Sequence, residues 1–176
     1  RVVPGLHLDT ERMQLRPIAD GDLDELLDLD SDPEVMRYLS GGVPSTREFY
    51  EQALPRMMAY QAEPYGFMAA IREGEFLGWF HLRPSVVDES MLELGYRLKR
   101  RYWGVGLATE GSRALARHAF ETLDQDEIDA CTTHDNLASR RVMEKIGMRY
   151  VGDFLHPRGG MECVRYLLHR DEFVSG

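Results

Sequence analysis

One junction in this 176-residue chain constrains its fold more than any other feature. An apolar strand pattern over 91–98 leads through a basic turn into the amphipathic helix pattern of 107–123, and Gly104 and Gly106 stand directly before that helix. Glycine lets backbone N–H groups approach a ligand because no Cβ intervenes, and a helix start adds unpaired donors with partial positive charge. The junction predicts a cradle for an anion such as pyrophosphate, although the same glycines would also serve a plain tight turn.

The spacing of the turn excludes two familiar phosphate-binding motifs. No Gly-Lys-Ser/Thr follows the glycines, which argues against a P-loop nucleotidase. The spacing is also not Gly-x-Gly-x-x-Gly, and the preceding strand is not part of an N-terminal βαβ unit, as a dinucleotide-binding fingerprint requires. A nucleotide-binding regulator that uses this turn in another way stays open as an alternative.

The periodicity of the apolar residues predicts one α/β domain over residues 1–176, with elements in the order β-α-α-β-β-β-α-β-α-β-β. Pro33 interrupts the first helical pattern, which begins near Leu23, and Asn136 and Gly147 are suited to start and to end the last helix. The predicted strands are 13–18, 67–72, 76–82, 91–98, 128–133, 148–154 and 162–169, and the other predicted helices are 45–60, 107–123 and 136–146.

The charge balance limits the classes of partner. A formal net charge of −9 and a pI near 5.1 disfavour nucleic acid, because neutralising phosphates requires a basic surface. Acidic residues crowd the N-terminal fifth, where they predict either a solvated helix face or a surface that steers a cationic amine. No apolar stretch approaches the ~20 residues that span a bilayer, and residues 1–8 lack the apolar region of a secretory signal. We therefore expect a cytoplasmic protein without a membrane partner.

The two cysteines, Cys131 and Cys163, lie in apolar, strand-like runs and are predicted to be reduced core thiols. A disulfide or a metal site is the alternative. The chain has no Cys-x-x-Cys motif, and its six histidines are scattered without the spacing of metal ligands. The sequence accordingly predicts no bound metal.

At the glycine turn the sequence resembles the GNAT acyltransferase superfamily, whose signature is Arg/Gln-x-x-Gly-x-Gly/Ala. Arg101, Gly104 and Gly106 match that signature in register. Further segments are similar to the branch that includes the RimJ/RimL-like ribosomal-protein N-terminal acetyltransferases, namely 10–17, 93–98 and 136–147. The resemblance extends over about residues 10–173.

The resemblance implies a mixed, mostly antiparallel sheet of six to seven strands, with splayed central parallel strands and helices on both faces. It also implies that acetyl-CoA binds as co-substrate, with its pyrophosphate on backbone amides of the turn and its pantetheine arm along strand 91–98. The residues implied in cofactor binding are Leu94, Tyr96, Leu98, Arg101, Gly104, Val105, Gly106, Leu107, Ala108, Thr109, Asn136 and Ser139.

Acetyl transfer to an amine needs a base for the amine and a stabilised thiolate leaving group. Glu93 is the candidate base, directly or through water, because family members often carry a carboxylate here; an ordinary polar residue on the outer strand face is the alternative. Many members place a tyrosine acid seven residues after the asparagine, where this chain has Met143. Ser139 is therefore the candidate hydrogen-bond donor to the sulfur, with helix capping as its alternative role. His134 is a second possible base, although loop histidines are common.

These features predict an N-acetyltransferase that moves an acetyl group from acetyl-CoA to a primary amine by direct nucleophilic attack. The acceptor would be a protein N-terminus or a small amine. A non-catalytic CoA-binding or sensing module of the same fold is the alternative, in which Met143 reflects a lost acid. A homodimer is an expectation from family analogy alone.

Overall fold

The computed structural model describes residues 4–176, which contain eight strands and five α-helices. The strands are β1 (Leu8–Asp9), β2 (Gln14–Pro17), β3 (Gly66–Arg72), β4 (Glu75–Pro84), β5 (Leu92–Leu98), β6 (Glu127–Thr133), β7 (Arg149–Leu155) and β8 (Glu162–His169). The helices are α1 (Leu23–Asp30), α2 (Pro33–Ser40), α3 (Arg47–Met58), α4 (Leu107–Arg117) and α5 (Leu137–Lys145). Short 3-10 turns lie at Asp20–Asp22, Ala59–Ala62, Arg100–Tyr102 and Arg170–Glu172.

The strands form a mixed sheet in the order β1-β2-β3-β4-β5-β6-β8-β7. Antiparallel ladders join β1 to β2, β2 to β3, β6 to β8 and β7 to β8, and a parallel ladder joins β5 to β6. The predicted mixed, mostly antiparallel sheet is confirmed, with one strand more than the apolar pattern indicated. The additional strand, β1, has two residues, which is too short for an alternating pattern to reveal it.

The helical pattern that Pro33 interrupts is two separate helices. Pro33 is the first residue of α2, and the Asp32 carboxylate accepts a hydrogen bond from the backbone N–H of Glu34 at 2.9 Å. Helix α3 begins after Thr46, whose hydroxyl accepts from the N–H of Phe49 at 3.1 Å. Both helix starts are therefore determined by contacts between residues at most three positions apart in the sequence.

The helix predicted over 107–123 ends earlier as an α-helix than its pattern indicated. Helix α4 stops at Arg117, and His118–Thr122 form a π-helical turn in which the N–H of Leu123 donates to the carbonyl of His118 at 3.0 Å. Three consecutive residues of this turn are buried: His118, Ala119 and Phe120. A strict period of 3.6 does not direct three successive side chains inward, so the wider turn fits this burial better.

The chain divides into two compact units. Unit 1 comprises the described part of Arg1–His81 together with Tyr96–Leu107. Its buried apolar cluster draws on α1, α2, α3 and the neighbouring strands, and includes Leu26, Leu29, Met36, Leu54 and Trp79. Each such side chain contributes roughly 1.5–3 kcal/mol when fully buried, so packing of the helices is the main stabilising term here.

Unit 2 comprises Leu82–Gly95 and Ala108–Gly176. Ile128 of β6 and Leu168 of β8 are opposite each other in the antiparallel ladder, and both are fully buried. Leu115 of α4 and Ile146 after α5 are equally buried, which supplies the helical side of this core. None of the helices between residues 4 and 176 combines the length and apolar character that a bilayer crossing needs.

Candidate active site

The turn between β5 and α4 has the backbone that the glycine signature predicts. Gly104 and Gly106 have φ values of 76° and 86°, a region that side chains other than glycine enter only at a cost. A Cβ built on Gly104 would meet nothing within 4 Å, whereas one on Gly106 would lie 3.3 Å from the guanidinium of Arg12. The turn therefore leaves open space beside Gly104, as a backbone cradle for an anion requires.

The three basic residues that open the turn have different surroundings. Lys99 is buried and its ammonium is ion-paired with acidic residues of α1, among them Glu25 at 2.5 Å. The Nε of Arg100 donates to Asp32 at 2.9 Å. The Arg101 side chain is 65% exposed, and its nearest carboxylate is 3.9 Å away. Arg101 is thus the most accessible cation of this run for a phosphate group.

Arg12 is a residue of the turn region that the sequence did not single out as a site residue. Its Nη1 donates to the carbonyl of Val105 at 2.8 Å, and its Nη2 is the atom nearest to the position of a Cβ on Gly106. The contact joins residues that are 93 positions apart. The only signal in the sequence was the membership of Arg12 in the family-like opening, so the fold itself brings this second cation to the turn.

The first residues of α4 would contact a ligand through backbone groups rather than through side chains. Leu107 and Thr109 are buried, with exposures of 1% and 7%, and Ala108 is half-buried. The N–H groups of a first helical turn have no intrahelical partner. The predicted contribution of Leu107, Ala108 and Thr109 to cofactor binding is accordingly one of main-chain donors.

Strand β5 carries Glu93 on one face and Leu94, Tyr96 and Leu98 on the other, because successive side chains of a strand alternate. Leu94 and Leu98 are buried and Tyr96 is half-buried. The parallel ladder with β6 pairs Leu92 with Ile128 and Glu93 with Asp129, although each strand has seven residues. This short ladder agrees with the splay that the family resemblance implies.

Glu93 is a buried carboxylate, with 4% of its surface exposed. Its Oε2 lies 3.4 Å from the Nη2 of Arg83, and its Oε1 accepts a hydrogen bond from the backbone N–H of Val86 at 3.4 Å. Glu93 is therefore not an exposed polar residue on an outer strand face, which was the alternative interpretation. Burial and the two donors instead hold the carboxylate in a fixed environment.

Asn136 and Ser139 meet at the start of α5. The Asn136 Oδ1 accepts from the N–H of Ser139 at 3.3 Å, which confirms the predicted helix cap. Both residues are half-buried. Their roles toward a cofactor stay predictions, as does the role of Ser139 toward the sulfur.

Two further positions bear on the choice of acid and base. Met143, which replaces the usual tyrosine, is buried with 6% exposure. The His134 side chain is 74% exposed and its Nδ1 lies 3.4 Å from Asp135, so it has the surroundings of a surface histidine. Within residues 4–176, no group of three or more His, Cys, Asp or Glu side chains is arranged to hold a metal ion.

Asp129 is a buried carboxylate beside Glu93 in the ladder that the sequence did not single out. It is 2% exposed, and its Oδ2 accepts from the Ser85 hydroxyl at 2.6 Å and from the Nε of Arg165 at 2.9 Å. Burial, together with the nearby charge of Glu93, raises the pKa of Asp129. Its one signal in the sequence was an acidic residue within an apolar strand, between Ile128 and Ala130.

The acidic residues of the N-terminal fifth are largely ion-paired with basic residues from elsewhere in unit 1. The pairs include Asp24 with Arg47, Asp30 with Arg97, Asp32 with Arg100, and Glu25 and Asp28 with Lys99. Asp30 is fully buried and also accepts from the hydroxyls of Tyr50 and Ser45 at 2.5 and 2.6 Å. These contacts give the acidic segment a structural role that neither sequence interpretation included.

Strand β5 therefore carries a buried carboxylate that can accept a proton, and it leads through two left-handed glycines to a helix start that can bind an anion. The chain belongs to the GNAT acetyltransferases, because the family profile described as "Acetyltransferase (GNAT) domain" matches residues 12–149. It is accordingly an acetyl-CoA-dependent N-acetyltransferase, as the sequence predicted.

Individual relatives support this assignment. The chain is 34% identical to the FsC-acetyl coenzyme A-N(2)-transacetylase of Aspergillus fumigatus, over 97% of this chain and 78% of the relative. A crystal structure of a GNAT-family acetyltransferase from Bacillus anthracis superposes with a TM-score of 0.79 at 26% identity, covering 95% of this chain and 100% of the other. RimL, a ribosomal L7/L12 alpha-N-protein acetyltransferase solved with coenzyme A, shares the fold with a TM-score of 0.77 at 15% identity, covering 98% and 99%.

Proposed function

We propose that this enzyme acetylates a primary amine by direct attack of the amine on the thioester of acetyl-CoA, with Glu93 as the general base. The observation that carries the proposal is the buried Glu93 carboxylate, held by Arg83 and by the backbone N–H of Val86 on the strand that leads into the glycine turn. A carboxylate in such a fixed position can accept a proton directly or through one water molecule.

The proton balance depends on the acceptor. A lysine-like amine has a pKa near 10.4 and costs about 4–5 kcal/mol to deprotonate at pH 7, whereas an α-amine near 7.7 costs about 1 kcal/mol. The neutral amine attacks the acetyl carbonyl, its proton passes to Glu93, and the carbon–sulfur bond breaks to release the thiolate. Ser139 donates a hydrogen bond to that sulfur, and a thiol of pKa about 8.5 needs no stronger acid.

Acetyl-CoA would be held mainly by the main chain. Backbone amides of residues 101–108 bind the pyrophosphate, and Arg101 and Arg12 supply positive charge beside it. The open space at Gly104 supports this assignment, because a phosphate oxygen there would meet no Cβ. The family resemblance implies that backbone groups of 94–98 pair with the pantetheine arm and that Asn136 approaches it.

The acceptor we propose is a small amine or the N-terminus of a peptide. The name of the relative from Aspergillus fumigatus describes acetyl transfer to the N(2) nitrogen of FsC, and that relative aligns over almost the whole chain. The name of RimL describes a protein α-amine, but the similarity to RimL is one of fold. FsC and α-amines are therefore the first acceptors to test.

The test is an amine panel with acetyl-CoA, read by thiol release and by mass spectrometry of the product. The panel contains FsC, free amino acids, diamines and short peptides with differing first residues. We expect thiol release only with an acceptor present, and a product that carries one additional acetyl group. Acetyl-CoA binding without turnover over the whole panel would contradict the proposal.

A further inference from the structure

Four charged side chains form a row across four neighbouring strands of unit 2: Arg83 of β4, Glu93 of β5, Asp129 of β6 and Arg165 of β8. The side chains of the two carboxylates are 6% and 2% exposed, and those of the two arginines 16% and 20%. Arg83 contacts Glu93 at 3.4 Å, and Arg165 contacts Asp129 at 2.9 Å. Two buried carboxylates therefore lie side by side, each with an arginine on its outer flank.

The register places the two carboxylates on the same face of the sheet. Glu93 and Asp129 are direct partners in the parallel ladder, and adjacent strands lie about 4.8 Å apart. Neighbouring like charges disfavour each other's ionised form, so the charge of Glu93 adds to burial in raising the pKa of Asp129. A core built for stability alone would avoid such a pair, since burying charges costs more than the paired geometry returns.

Only one of the two carboxylate oxygens of Asp129 accepts hydrogen bonds within the described chain. Oδ2 accepts from Ser85 and Arg165, whereas Oδ1 is buried and has no hydrogen-bond partner within the described chain. Buried polar atoms without a partner are uncommon in native proteins, and a functional site is one of the reasons for them. Of the buried carboxylates within residues 4–176, Asp129 is the one with such an oxygen.

Asp129 also reaches Glu93 through the loop after β4. The Ser85 hydroxyl, which donates to Asp129, accepts from the backbone N–H groups of Val87 and Asp88 at 3.1 and 3.3 Å. The preceding N–H in this loop, that of Val86, donates to Glu93. The position of a donor to Glu93 therefore depends on the bond between Ser85 and Asp129.

We propose that Asp129 is a positioning residue for Glu93: its charge keeps Glu93 basic, and its bond to Ser85 holds the loop that donates to Glu93. The inference rests on the proposed role of Glu93 as base. Other charged or titratable groups near the pair include Arg83 of β4, Cys131 of β6, and Cys163 and Arg165 of β8, and Arg165 also acts on Asp88 of the loop. Burial raises the pKa of both thiols, so they stay neutral while the carboxylates titrate.

The test compares Asp129→Asn with Asp22→Asn, a matched control in unit 1. Asp22 is 5% exposed and is held by Arg16 through two bonds of 2.9 and 2.8 Å, so the control also neutralises a buried, arginine-paired carboxylate. The readouts are a ¹³C NMR titration of the Glu93 carboxyl, identified by its loss in Glu93→Gln, and the pH profile of kcat/KM. Removal of the neighbouring negative charge favours the carboxylate form of Glu93.

We therefore expect Asp129→Asn to move the Glu93 titration, and the acid limb of the profile, to lower pH by about one pH unit. The kcat should fall about tenfold, with the KM for acetyl-CoA within about twofold of wild type. Asp22→Asn should leave the titration of Glu93 in place. An unchanged titration in folded Asp129→Asn would overturn the inference.

Ser85→Ala separates the two parts of the proposal, because it breaks the loop contact and keeps both charges. We expect a lower kcat, an unshifted Glu93 titration, and recovery of kcat in Ser85→Thr. Wild-type kcat in Ser85→Ala would overturn the loop part, and this variant tests that part even if Asp129→Asn does not fold. Failure of the wild-type enzyme to acetylate any amine would contradict the proposed function. The NMR titration would still test the coupling of the two carboxylates independently.

Discussion

The glycine turn of 99–106 and the charge row of unit 2, which consists of Arg83, Glu93, Asp129 and Arg165, differ in the groups that they would offer to a reaction. The turn is exposed at Trp103 and Val105, at 46% and 53%, and offers a ligand its main chain. The charge row consists of buried side chains contributed by four strands. The turn therefore tolerates changes of many side chains but not the addition of a Cβ, whereas the row depends on the charge of each member.

The two regions also differ in what they cost the fold. Glycine adopts a left-handed backbone conformation without strain, whereas a residue that replaced it would be strained. The turn therefore costs the native sequence little folding free energy. Burying two carboxylates beside two arginines costs desolvation of four charges, which their contacts offset only in part. A costly arrangement that keeps an unpartnered oxygen is more informative about function than an inexpensive one.

The largest effect should follow loss of the base in the charge row. Glu93→Gln removes the proton acceptor with little change in shape, and we expect kcat to fall by about 10²- to 10⁴-fold. Acetyl-CoA binding, measured by calorimetry, should stay within about twofold of wild type. Glu162→Gln, at the exposed start of β8, is the control. A fall in kcat of less than about tenfold would show that another group is the base.

A Cβ in the turn should weaken cofactor binding without affecting the chemistry to the same degree. Gly104→Val fills the open space and disturbs a cradle of charge-assisted bonds worth about 1.5–3 kcal/mol each, so we expect the Kd for acetyl-CoA to rise about 10- to 100-fold. Gly74→Val is a close control, because Gly74 has φ of 79° against 76° and also meets nothing within 4 Å. Equal effects of the two variants on Kd would mean that backbone strain, not the cradle, is responsible.

Substitutions of the neighbouring residues Arg101 and Arg100 should distinguish a charge that binds acetyl-CoA from one that stabilises the fold. Arg101→Gln should raise the Kd for acetyl-CoA about fivefold at low salt, which corresponds to ~1 kcal/mol, and less at high salt because exposed charges are screened. Arg100 is similarly exposed but donates to Asp32, so Arg100→Gln should leave the Kd nearly unchanged. Titration calorimetry at two salt concentrations measures both. A larger effect at Arg100 would contradict the assignment of Arg101.

The smallest expected effect concerns the thiols beside the charge row. Burial, with the nearby negative charge of Glu93, raises the pKa of Cys131 and of Cys163, and only the thiolate is nucleophilic. At pH 8 we expect neither thiol to react appreciably with iodoacetamide in the native enzyme, and both to react after denaturation. Mass spectrometry over time checks this, and rapid native labelling would show that the face is more open than its burial indicates.

Most of the fold was predictable from short-range patterns. Pro33, Thr46 and Asn136 start helices through contacts within three residues, and the strand-like runs that become β3 to β8 are visible in the sequence. The unpredicted features, β1 and the π-helical turn at His118–Thr122, are short or depend on what is buried beside them. A periodic pattern carries no information about either.

The candidate site divides in the same way. The sequence by itself determined the glycine turn and the helix start after it, because Gly104 and Gly106 act through backbone freedom that neighbouring residues do not alter. Only the tertiary structure decided that Asp129 lies beside Glu93, that Arg12 reaches Val105, and that the acidic N-terminal segment is paired with Lys99 and Arg97. These contacts join residues 36 to 93 positions apart, and they exist because the order of the strands and the packing of the helices bring distant residues together.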